Sequence, residues 1–226
     1  MADDPPTVLA IDIGGSHVKI RSSAGGDELK AVSGPTMNAA AMADAVDTLA
    51  RGLAFDVISM GYPGPVVHNR IVSDPHNLAP GWVGFDFAGH FGKPVRIVND
   101  ALMQAIGSYQ GDRMLFLGLG TGLGAAMIVD NVAQPMELAH LPYRKGRTFE
   151  DYLGEASLEK RGHRKWQKHV FRAVEELTAA LEPDYVVIGG GNVARLDHLP
   201  PRARRGDNAN AFKGGFALWL DKTLVV

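Results

Sequence analysis

Short apolar runs alternate with amphipathic segments along this chain, and the two patterns predict different elements. Apolar runs bounded by glycine or polar residues predict strands over residues 8–13, 18–22, 30–33, 57–60, 95–98, 114–117, 125–129 and 185–188. Apolar positions three or four residues apart predict helices over residues 38–53, 85–91, 101–109, 149–160, 165–181 and 209–220. Residues 68–82, 132–146 and 192–208 are predicted to be irregular. The alternation of strands and helices predicts an α/β architecture with mixed sheets.

Two glycine-rich turns each lie between apolar runs. Residues 12–19 have the sequence D-I-G-G-S-H-V-K, and residues 117–126 have the sequence L-G-L-G-T-G-L-G-A-A. Glycine lets backbone N–H groups approach phosphate oxygens with no Cβ in the way. Two such units suggest an internal duplication in which each half presents a phosphate loop to a shared cleft. For the first turn alone, a plain β-hairpin with a Gly-Gly turn is the alternative. The alternating glycines of the second turn would leave an ordinary strand poorly packed, which favours a functional role.

Polar residues follow two of the predicted strands. Asp12 lies where its carboxylate could face Mg²⁺, and the Ser16 hydroxyl could donate to a phosphate oxygen. Asn99 and Asp100 stand at the carboxyl end of another strand, where α/β folds place ligand chemistry. The Asp100 carboxylate could accept the proton of a substrate hydroxyl that attacks phosphorus. It could also cap the helix that follows, and the two roles could coexist.

Glu137 and His140 form a second candidate pair in an irregular segment. Their spacing of three residues could place both on one face of a turn, where they would hydrogen-bond a polyol. Ordinary surface polarity is the alternative for this pair. Zinc is not supported, because the chain has no cysteine and no third ligand at suitable spacing.

Composition limits the classes of function. The chain has 226 residues, enough for one large or two small domains, and its net charge of -2 argues against a dedicated nucleic-acid binder. Disulfides are impossible without cysteine. Residues 1–6 lack the apolar core of a signal peptide, and no apolar run approaches the roughly 20 residues that cross a bilayer. We therefore expect a cytoplasmic protein with neither a nucleic-acid nor a membrane partner.

Several motifs in order along the chain resemble those of the repressor/open-reading-frame/kinase (ROK) family of sugar kinases. They are D-I-G-G-S-H-V-K at 12–19, G-Y-P-G-P-V at 61–66, N-L-A-P-G-W at 77–82, V-N-D-A at 98–101, L-G-T-G-L-G-A-A at 119–126, E-L-A-H at 137–140 and P-D-Y-V-V-I-G-G-G at 183–191. The chain is most similar to the family's short glucokinase and polyphosphate-glucokinase members.

The resemblance implies a two-lobed, actin-like (ribonuclease H-like) fold with mixed sheets and a duplicated phosphate-loop unit. A small α/β lobe is expected over residues 1–108, rejoined by the C-terminal helix at 209–221. A large α/β lobe is expected over residues 109–208, with the active-site cleft between the lobes.

The resemblance also implies roles for individual residues. Asp100 would be the general base that activates the 6-hydroxyl of the sugar. The other residues expected to bind sugar are Gly64, Asn77, Asn99, Glu137, His140 and Glu150. The residues expected at the phosphate or nucleotide are Asp12, Gly14, Gly15, Ser16, Lys19, Gly120, Thr121, Gly122, Gly190 and Gly191. Asp12 would also hold Mg²⁺.

Three departures from the family pattern bear on the expected chemistry. Ser16 replaces the usual threonine and keeps the hydroxyl, whereas Ala139 replaces a glycine and could change the freedom of that loop. The cysteine-rich zinc motif of many relatives is absent, so no structural zinc is expected and His140 is interpreted as a sugar ligand. The family also contains repressors, but these carry a helix-turn-helix that has no counterpart before the first strand.

The phosphoryl donor stays open between ATP and inorganic polyphosphate. A basic tract could attract a polyanion, or could be two solvated helix faces: it comprises Arg144, Lys145, Arg147, Lys160, Arg161, Arg164, Lys165, Lys168 and Arg172. We expect a sugar kinase that phosphorylates the 6-hydroxyl of glucose with Mg²⁺ as cofactor. Another hexose (fructose or an N-acetylated hexosamine) and a non-catalytic sugar-binding regulator are the alternatives. Relatives are commonly dimers, so a homodimer is expected.

Overall fold

The structure, a computed structural model, describes residues 4–226. Residues 1–3, part of the stretch used to argue against a signal peptide, lie outside the described residues. The chain divides into two compact units. One comprises the residues up to Met103 together with Ala211–Lys222, and the other comprises Gln104–Asn210 and Thr223–Val226.

The first unit is built on a five-stranded mixed sheet. In chain order the seven strands of the unit are β1 (Val8–Ile13), β2 (His17–Ser22), β3 (Leu29–Val32), β4 (Val57–Tyr62), β5 (Val66–Val67), β6 (Arg70–Ile71) and β7 (Val95–Asn99). The sheet order is β3-β2-β1-β4-β7, with β1, β4 and β7 parallel and β2 and β3 antiparallel to their neighbours. The short strands β5 and β6 form a separate hairpin. Three parallel strands therefore end at one edge of this sheet.

Helices α1 (Ala39–Leu49) and α2 (Phe87–Phe91) follow side-chain caps. Asn38 Oδ1 accepts from the backbone N–H of Ala41 at 2.9 Å, and Asp86 Oδ1 accepts from Gly89 N at 2.9 Å. Helix α3 (Asp100–Ser108) starts in this unit, directly after β7. The core is apolar, and its largest fully buried side chain is that of Trp82.

The second unit repeats the same sheet plan. Its strands are β8 (Arg113–Leu119), β9 (Leu123–Val129), β10 (Val132–Met136), β11 (Pro142–Arg144), β12 (Arg147–Thr148), β13 (Tyr185–Gly189) and β14 (Ala203–Arg205). Its five-stranded sheet has the order β10-β9-β8-β13-β14, an antiparallel three-strand meander followed by two parallel strands. Helices α4 (Glu150–Leu153), α5 (Glu155–Arg161) and α6 (His163–Leu181) complete the unit. The predicted α/β class with mixed sheets and a duplicated unit is confirmed.

The last helix, α7 (Asn210–Leu220), contributes its residues from Ala211 onward to the first unit. Ser59 Oγ donates to the Gly215 carbonyl at 2.5 Å, and Trp219 Nε1 donates to the Ile58 carbonyl at 3.2 Å. A methyl group added at Gly215 would meet Ala10 Cβ at 2.7 Å. The helix therefore needs glycine there in order to reach the sheet.

Several element boundaries differ from the sequence prediction. Strand β4 continues through Gly61 to Tyr62, because Gly61 pairs with β1 on one side and β7 on the other. Strand β10 lies in a segment predicted to be irregular; it is an edge strand, which tolerates Pro135. The short strand β14 was missed for a similar reason, since two of its three residues are arginines at a sheet edge. The helix predicted over 149–160 is split at Gly154. None of the helices within residues 4–226 is both long and apolar enough to span a bilayer.

Candidate active site

The carboxyl edge of the first sheet gathers several of the predicted residues. Asp12 of β1 is paired with Gly61 of β4, and Gly61 is paired with Val98 of β7. A methyl group added at Gly61 would meet Met103 Cε at 2.5 Å and Asp100 Cα at 3.5 Å. The backbone of Asp100 thus closely approaches the strand that lies beside Asp12.

Asp12 is an acid with an unfavourable environment for its charge. Burial raises its pKa to about 6, Lys19 on the neighbouring strand opposes this rise, and Glu28 adds to it. Lys19 is paired in register with Asp12, and its Nζ lies 3.3 Å from Glu28 Oε1. The Lys19 ammonium therefore forms an ion pair with Glu28 and lies close enough to Asp12 to act on the pKa of that carboxyl.

The first glycine turn is a tight turn held by a residue that sequence reasoning missed. Gly14 N donates to the His17 carbonyl at 2.9 Å. Ser33 Oγ donates to the Gly14 carbonyl at 2.6 Å, and Ser33 N donates to the Ser16 carbonyl at 3.0 Å. Gly15 and Ser16, at the tip of the turn, are exposed. The hairpin alternative and the phosphate role are compatible, because the turn is a hairpin with an exposed tip.

The same turn lies against the candidate sugar loop. A methyl group added at Gly15 would meet Asn77 Cβ at 3.3 Å, so glycine permits this close approach. Asn77 is exposed, and its loop is held by Asp74, whose Oδ1 accepts from Trp82 N at 2.8 Å and from Gly81 N at 3.0 Å. These backbone hydrogen bonds, with Trp82 the strongest contributor, lower the pKa of Asp74. The structure therefore brings Asn77 and Gly15 together through a carboxylate that the sequence pattern did not single out.

Asn99 and Asp100 make different hydrogen bonds at the start of α3. Asn99 Oδ1 accepts from Leu102 N at 3.2 Å, the N-cap contact, and its Nδ2 donates to the Gly64 carbonyl at 3.2 Å. Asp100 is the first residue of the helix, and its Oδ1 accepts from Ala101 N at 2.7 Å. Asn99 thereby ties the turn at Gly64 to the residue predicted to be the base.

The second glycine turn lies between β8 and β9, and Glu150 packs against it. A Cβ at Gly122 would clash with Glu150 Oε2, which accepts from Leu123 N at 3.1 Å. Glu155 N donates to the carbonyls of Gly120 at 3.1 Å and Thr121 at 3.2 Å. One oxygen of Glu150 thus helps to shape the loop.

Gly190 packs on this second loop from the next strand. Its φ of 82° lies in the left-handed region, and a Cβ there would clash with the Leu119 backbone. Asn192 is buried, and its Nδ2 donates to the Gly120 carbonyl at 3.1 Å. Gly191 is exposed, with open space at its Cα. The turn is therefore held from both sides, by Glu155 and by Asn192, and neither residue was predicted.

Glu137 and His140 lie on one turn of 3₁₀ helix, Leu138–His140 and its cap residue. Their side chains are exposed, and His140 Nε2 lies 3.9 Å from Glu137 Oε2. The intervening Leu138 and Ala139 are buried. The predicted geometry, with both polar groups on one face of a turn, is observed.

The donor set fits Mg²⁺ better than zinc. Mg²⁺ takes oxygen ligands and is usually held by one or two carboxylates plus substrate phosphates. Asp12 offers a carboxylate near the end of β1, beside a turn whose tip residues Gly15 and Ser16 are exposed. A cation would also relieve the unfavourable charge of the buried Asp12 carboxylate.

The sequence of this chain is similar to those of known proteins. Residues 8–135, over half of the chain, match the model of the ROK family. The chain belongs to the ROK family. It is 27% identical over 215 residues to the polyphosphate glucokinase of Mycobacterium tuberculosis (strain ATCC 25618 / H37Rv), covering 85% of this chain and 80% of that protein.

Two solved structures show the same fold. The inorganic polyphosphate/ATP-glucomannokinase from Arthrobacter sp. strain KM has a TM-score of 0.81 at 21% identity, covering 95% of this chain and 98% of that chain. A ROK family glucokinase from Streptomyces griseus, in complex with glucose and AMPPNP, has a TM-score of 0.75 at 16% identity, covering 94% of this chain and 99% of that chain. These likenesses confirm the predicted actin-like (ribonuclease H-like) fold of ROK sugar kinases.

Proposed function

We propose that this ROK-family protein is a sugar kinase that transfers a phosphoryl group from inorganic polyphosphate or ATP to the 6-hydroxyl of glucose. The observation that carries the proposal is the edge of the first sheet. There Asp12 and its glycine turn lie one strand from Gly61, against which the backbone of Asp100 packs. A base and a phosphate-binding group on adjacent strand ends are what phosphoryl transfer to a hydroxyl requires.

Asp100 is proposed as the general base. Its carboxylate accepts the proton of the 6-hydroxyl as that oxygen attacks the terminal phosphorus. The bond from phosphorus to the bridging oxygen breaks, and the shortened polyphosphate or ADP leaves with the electron pair. Asn99 acts as a positioning residue, because its amide holds both the start of α3 and the turn at Gly64.

The phosphates are proposed to bind the two glycine turns, at Gly14, Gly15 and Ser16 in one unit and at Gly120, Thr121 and Gly122 in the other. Backbone N–H groups fixed in place stabilise charge on the transferred group without reorganising during the reaction. Asp12 would hold Mg²⁺, which supplies charge neutralisation at the phosphates when it is bound. Lys19, between Asp12 and Glu28, adds a fixed positive charge beside this turn.

The sugar hydroxyls are proposed to bind polar side chains on both units, of which Asn77, Glu137 and His140 are exposed and Asn99 and Glu150 are half-buried. Asn77 beside Gly15 and the Asn99 amide belong to the first, whereas Glu137, His140 and Glu150 belong to the second. Carboxylate, amide and imidazole groups are suited to orient a polyol. The name of the Mycobacterium tuberculosis relative, polyphosphate glucokinase, supports glucose and polyphosphate, and the Arthrobacter enzyme's name includes both ATP and polyphosphate.

The purified protein tests the proposal directly. It should form glucose 6-phosphate from glucose with polyphosphate, ATP or both, measured as the sugar phosphate itself and abolished by chelating Mg²⁺. Fructose, mannose and N-acetylated hexosamines in parallel identify the preferred sugar. Sugar binding with no phosphorylated product from any donor would instead support a non-catalytic regulator.

A further inference from the structure

A concave basic surface lies where α5 meets α6 in the second unit. It borders a shallow, open cavity of about 520 Å³ lined by Arg161, Gly162, His163, Arg164, Lys165 and Lys168. Five of these six residues carry basic side chains, so the surface presents positive charge to anything that enters it. We call this set of residues the basic groove.

Among the described residues, three cations of the basic groove have no ion-pair partner, whereas His163 Nε2 contacts the Arg195 carbonyl and lies 3.7 Å from Asp197 Oδ1. Across residues 4–226, no carboxylate lies within ion-pair distance of Arg164, Lys165 or Lys168, and all three are exposed. Arg161, by contrast, is fixed: its Nε donates to Ser157 Oγ at 2.9 Å and its guanidinium lies 4.0 Å from the Tyr152 ring centroid. One ordered arginine beside several uncompensated cations is a pre-formed anion site.

The charges of α6 oppose its own dipole. Cations are favoured at the C-terminus of a helix and anions at its N-terminus. In α6, however, the first turn contains basic residues and no acid, whereas Glu175 and Glu176 lie toward the other end. A solvated surface helix gains nothing from this arrangement. An anion bound at the groove would be attracted by the side chains and by the helix start together.

Further arginines lie near the groove, although one of them, Arg172, is paired with Glu176, whose Oε1 accepts from its Nε at 2.7 Å. Burial is the largest cause that lowers the pKa of His169, and the next causes are Arg161, Arg144 and Arg172. Three arginines from separate segments therefore lie close enough to act on one imidazole. Arg164, Lys168 and Arg172 also follow helical spacing, which puts them on one stripe about 12 Å long.

Helix α5 links the basic groove to the second glycine turn. Its first residue, Glu155, donates its N–H to the carbonyls of Gly120 and Thr121, and its last residue is Arg161. Seven helical residues span about 10 Å, so the groove begins about one short helix away from the turn. A linear chain of several phosphates is long enough to cover this distance.

We propose that the basic groove binds the distal part of an inorganic polyphosphate chain whose terminal phosphates lie at the turn formed by residues 120–122. This inference rests on the proposed function, and it adds a binding site for the donor beyond the reacting phosphates. Arg161 provides a fixed contact, and Arg164, Lys165 and Lys168 provide the exposed charge. The groove therefore favours long donors over short ones.

A triple charge reversal tests the groove: Arg164→Glu, Lys165→Glu and Lys168→Glu. Binding of fluorescently labelled long-chain polyphosphate, measured by anisotropy without sugar, should weaken by at least about tenfold. Binding of tripolyphosphate should change little. The melting temperature should be unchanged or higher, because acids in the first turn of α6 suit its dipole. A matched control reverses three exposed cations of the first unit, Arg51, Lys213 and Lys222, and should bind long-chain polyphosphate like the unaltered protein.

The outcomes separate this proposal from the proposed function. Equal binding of long-chain polyphosphate by the triple variant and the unaltered protein would overturn the groove as its site, even if polyphosphate is the donor. Tighter binding of a single-stranded RNA than of polyphosphate would also overturn it and indicate a nucleic-acid site. If the protein did not phosphorylate glucose from polyphosphate, the donor role would be rejected. Weaker binding of long-chain polyphosphate by the triple variant than by the unaltered protein would in that case still support the groove as a polyanion site.

Discussion

At the scale of single residues, the two neighbours Asn99 and Asp100 illustrate what sequence can and cannot decide. The pattern placed an acid at a strand end and left its roles as cap and base open. In the structure Asn99 makes the N-cap hydrogen bond to Leu102, so the cap does not depend on the Asp100 carboxylate. The sequence could not show this, because either residue type caps helices well.

Replacing Asp100 by asparagine tests whether its carboxylate acts as the base or only supports the structure of the site. Asp100→Asn should keep sugar binding within a few-fold and lower turnover by at least about a hundred-fold, because the amide cannot accept the hydroxyl proton. Titration calorimetry with glucose and direct assay of sugar phosphate give the two quantities. Asp130→Asn, at an exposed turn, is the matched control. Near-normal turnover in Asp100→Asn would remove this residue from the role of base.

Asp12 should make folding stability depend on pH. Its folded pKa of about 6 lies above the ordinary value of 3.8, so the folded state binds the proton more tightly. That stability is fully present below the ordinary value and is lost as pH rises through about 6. The loss is on the order of 3 kcal/mol.

Asp12→Asn should therefore raise the melting temperature at pH 8 and leave it nearly unchanged at pH 4, while it lowers kinase activity. Thermal unfolding in metal-free buffer at both pH values measures the effect. Asp56→Asn, at a residue whose carboxylate accepts from Thr7 N at 2.8 Å on the exposed surface, is a control for the loss of one charge. An equal temperature change at both pH values would show that the ionisation of Asp12 is not the cause.

At the scale of elements, strands with continuous apolar runs were predicted well, and of the four edge strands β3 and β7 were predicted whereas β10 and β14 were not. Strand β1 was predicted with its observed bounds, and β13 lacked only Gly189. Strands β10 and β14 were missed because edge strands tolerate proline and charge, which remove the usual signal. The break at Gly154 was missed for a tertiary reason, since a Cβ there would lie 2.7 Å from the Thr121 carbonyl oxygen.

The candidate sugar loop depends on a long-range anchor that periodicity cannot detect. The Asp74 carboxylate accepts hydrogen bonds from the backbone N–H groups of Gly81 and Trp82, seven and eight residues further along the chain. The pKa of Asp74 is lowered, so the loop is stabilised above the ordinary carboxyl pKa and loses this support as pH falls through the folded value.

Asp74→Asn should loosen this loop without unfolding the unit, because a neutral amide oxygen is a weaker acceptor than a carboxylate. Hydrogen exchange at Gly81 and Trp82 should become faster, whereas exchange in β8 and β9 should be unaffected. Asp86→Asn, which keeps a good N-cap residue on α2, is the matched control. Unchanged exchange at Gly81 and Trp82 would show that the loop is held by other contacts.

At the scale of the whole molecule, the two glycine turns correctly predicted a repeated unit. Each turn connects the first two strands of a five-stranded sheet, and both sheets continue with two parallel strands. The tertiary anchors of these turns could not be predicted, since Ser33 and Asn192 lie 19 and 72 residues from their partners.

The contribution of α7 to the first unit gives a prediction about stability. Gly215→Val should destabilise the protein by a few kcal/mol, on the order of 2–4, because the side chain would overlap Ala10 and displace the helix from the sheet. Thermal and denaturant unfolding measure the change. Lys213→Val, at an exposed position of the same helix, controls for β-branching in a helix. A melting temperature equal to that of the control would mean that the helix can shift at no cost.

The place of α7 in the chain also has a consequence for synthesis on the ribosome. The second unit has nearly all of its residues once Asn210 has emerged, but the sheet position beside Ala10 and Ser59 is still uncovered then. The half that is translated first is therefore the half that finishes folding last. Nascent chains stalled before residue 211 should expose apolar sheet surface and bind chaperones that released full-length chains no longer bind.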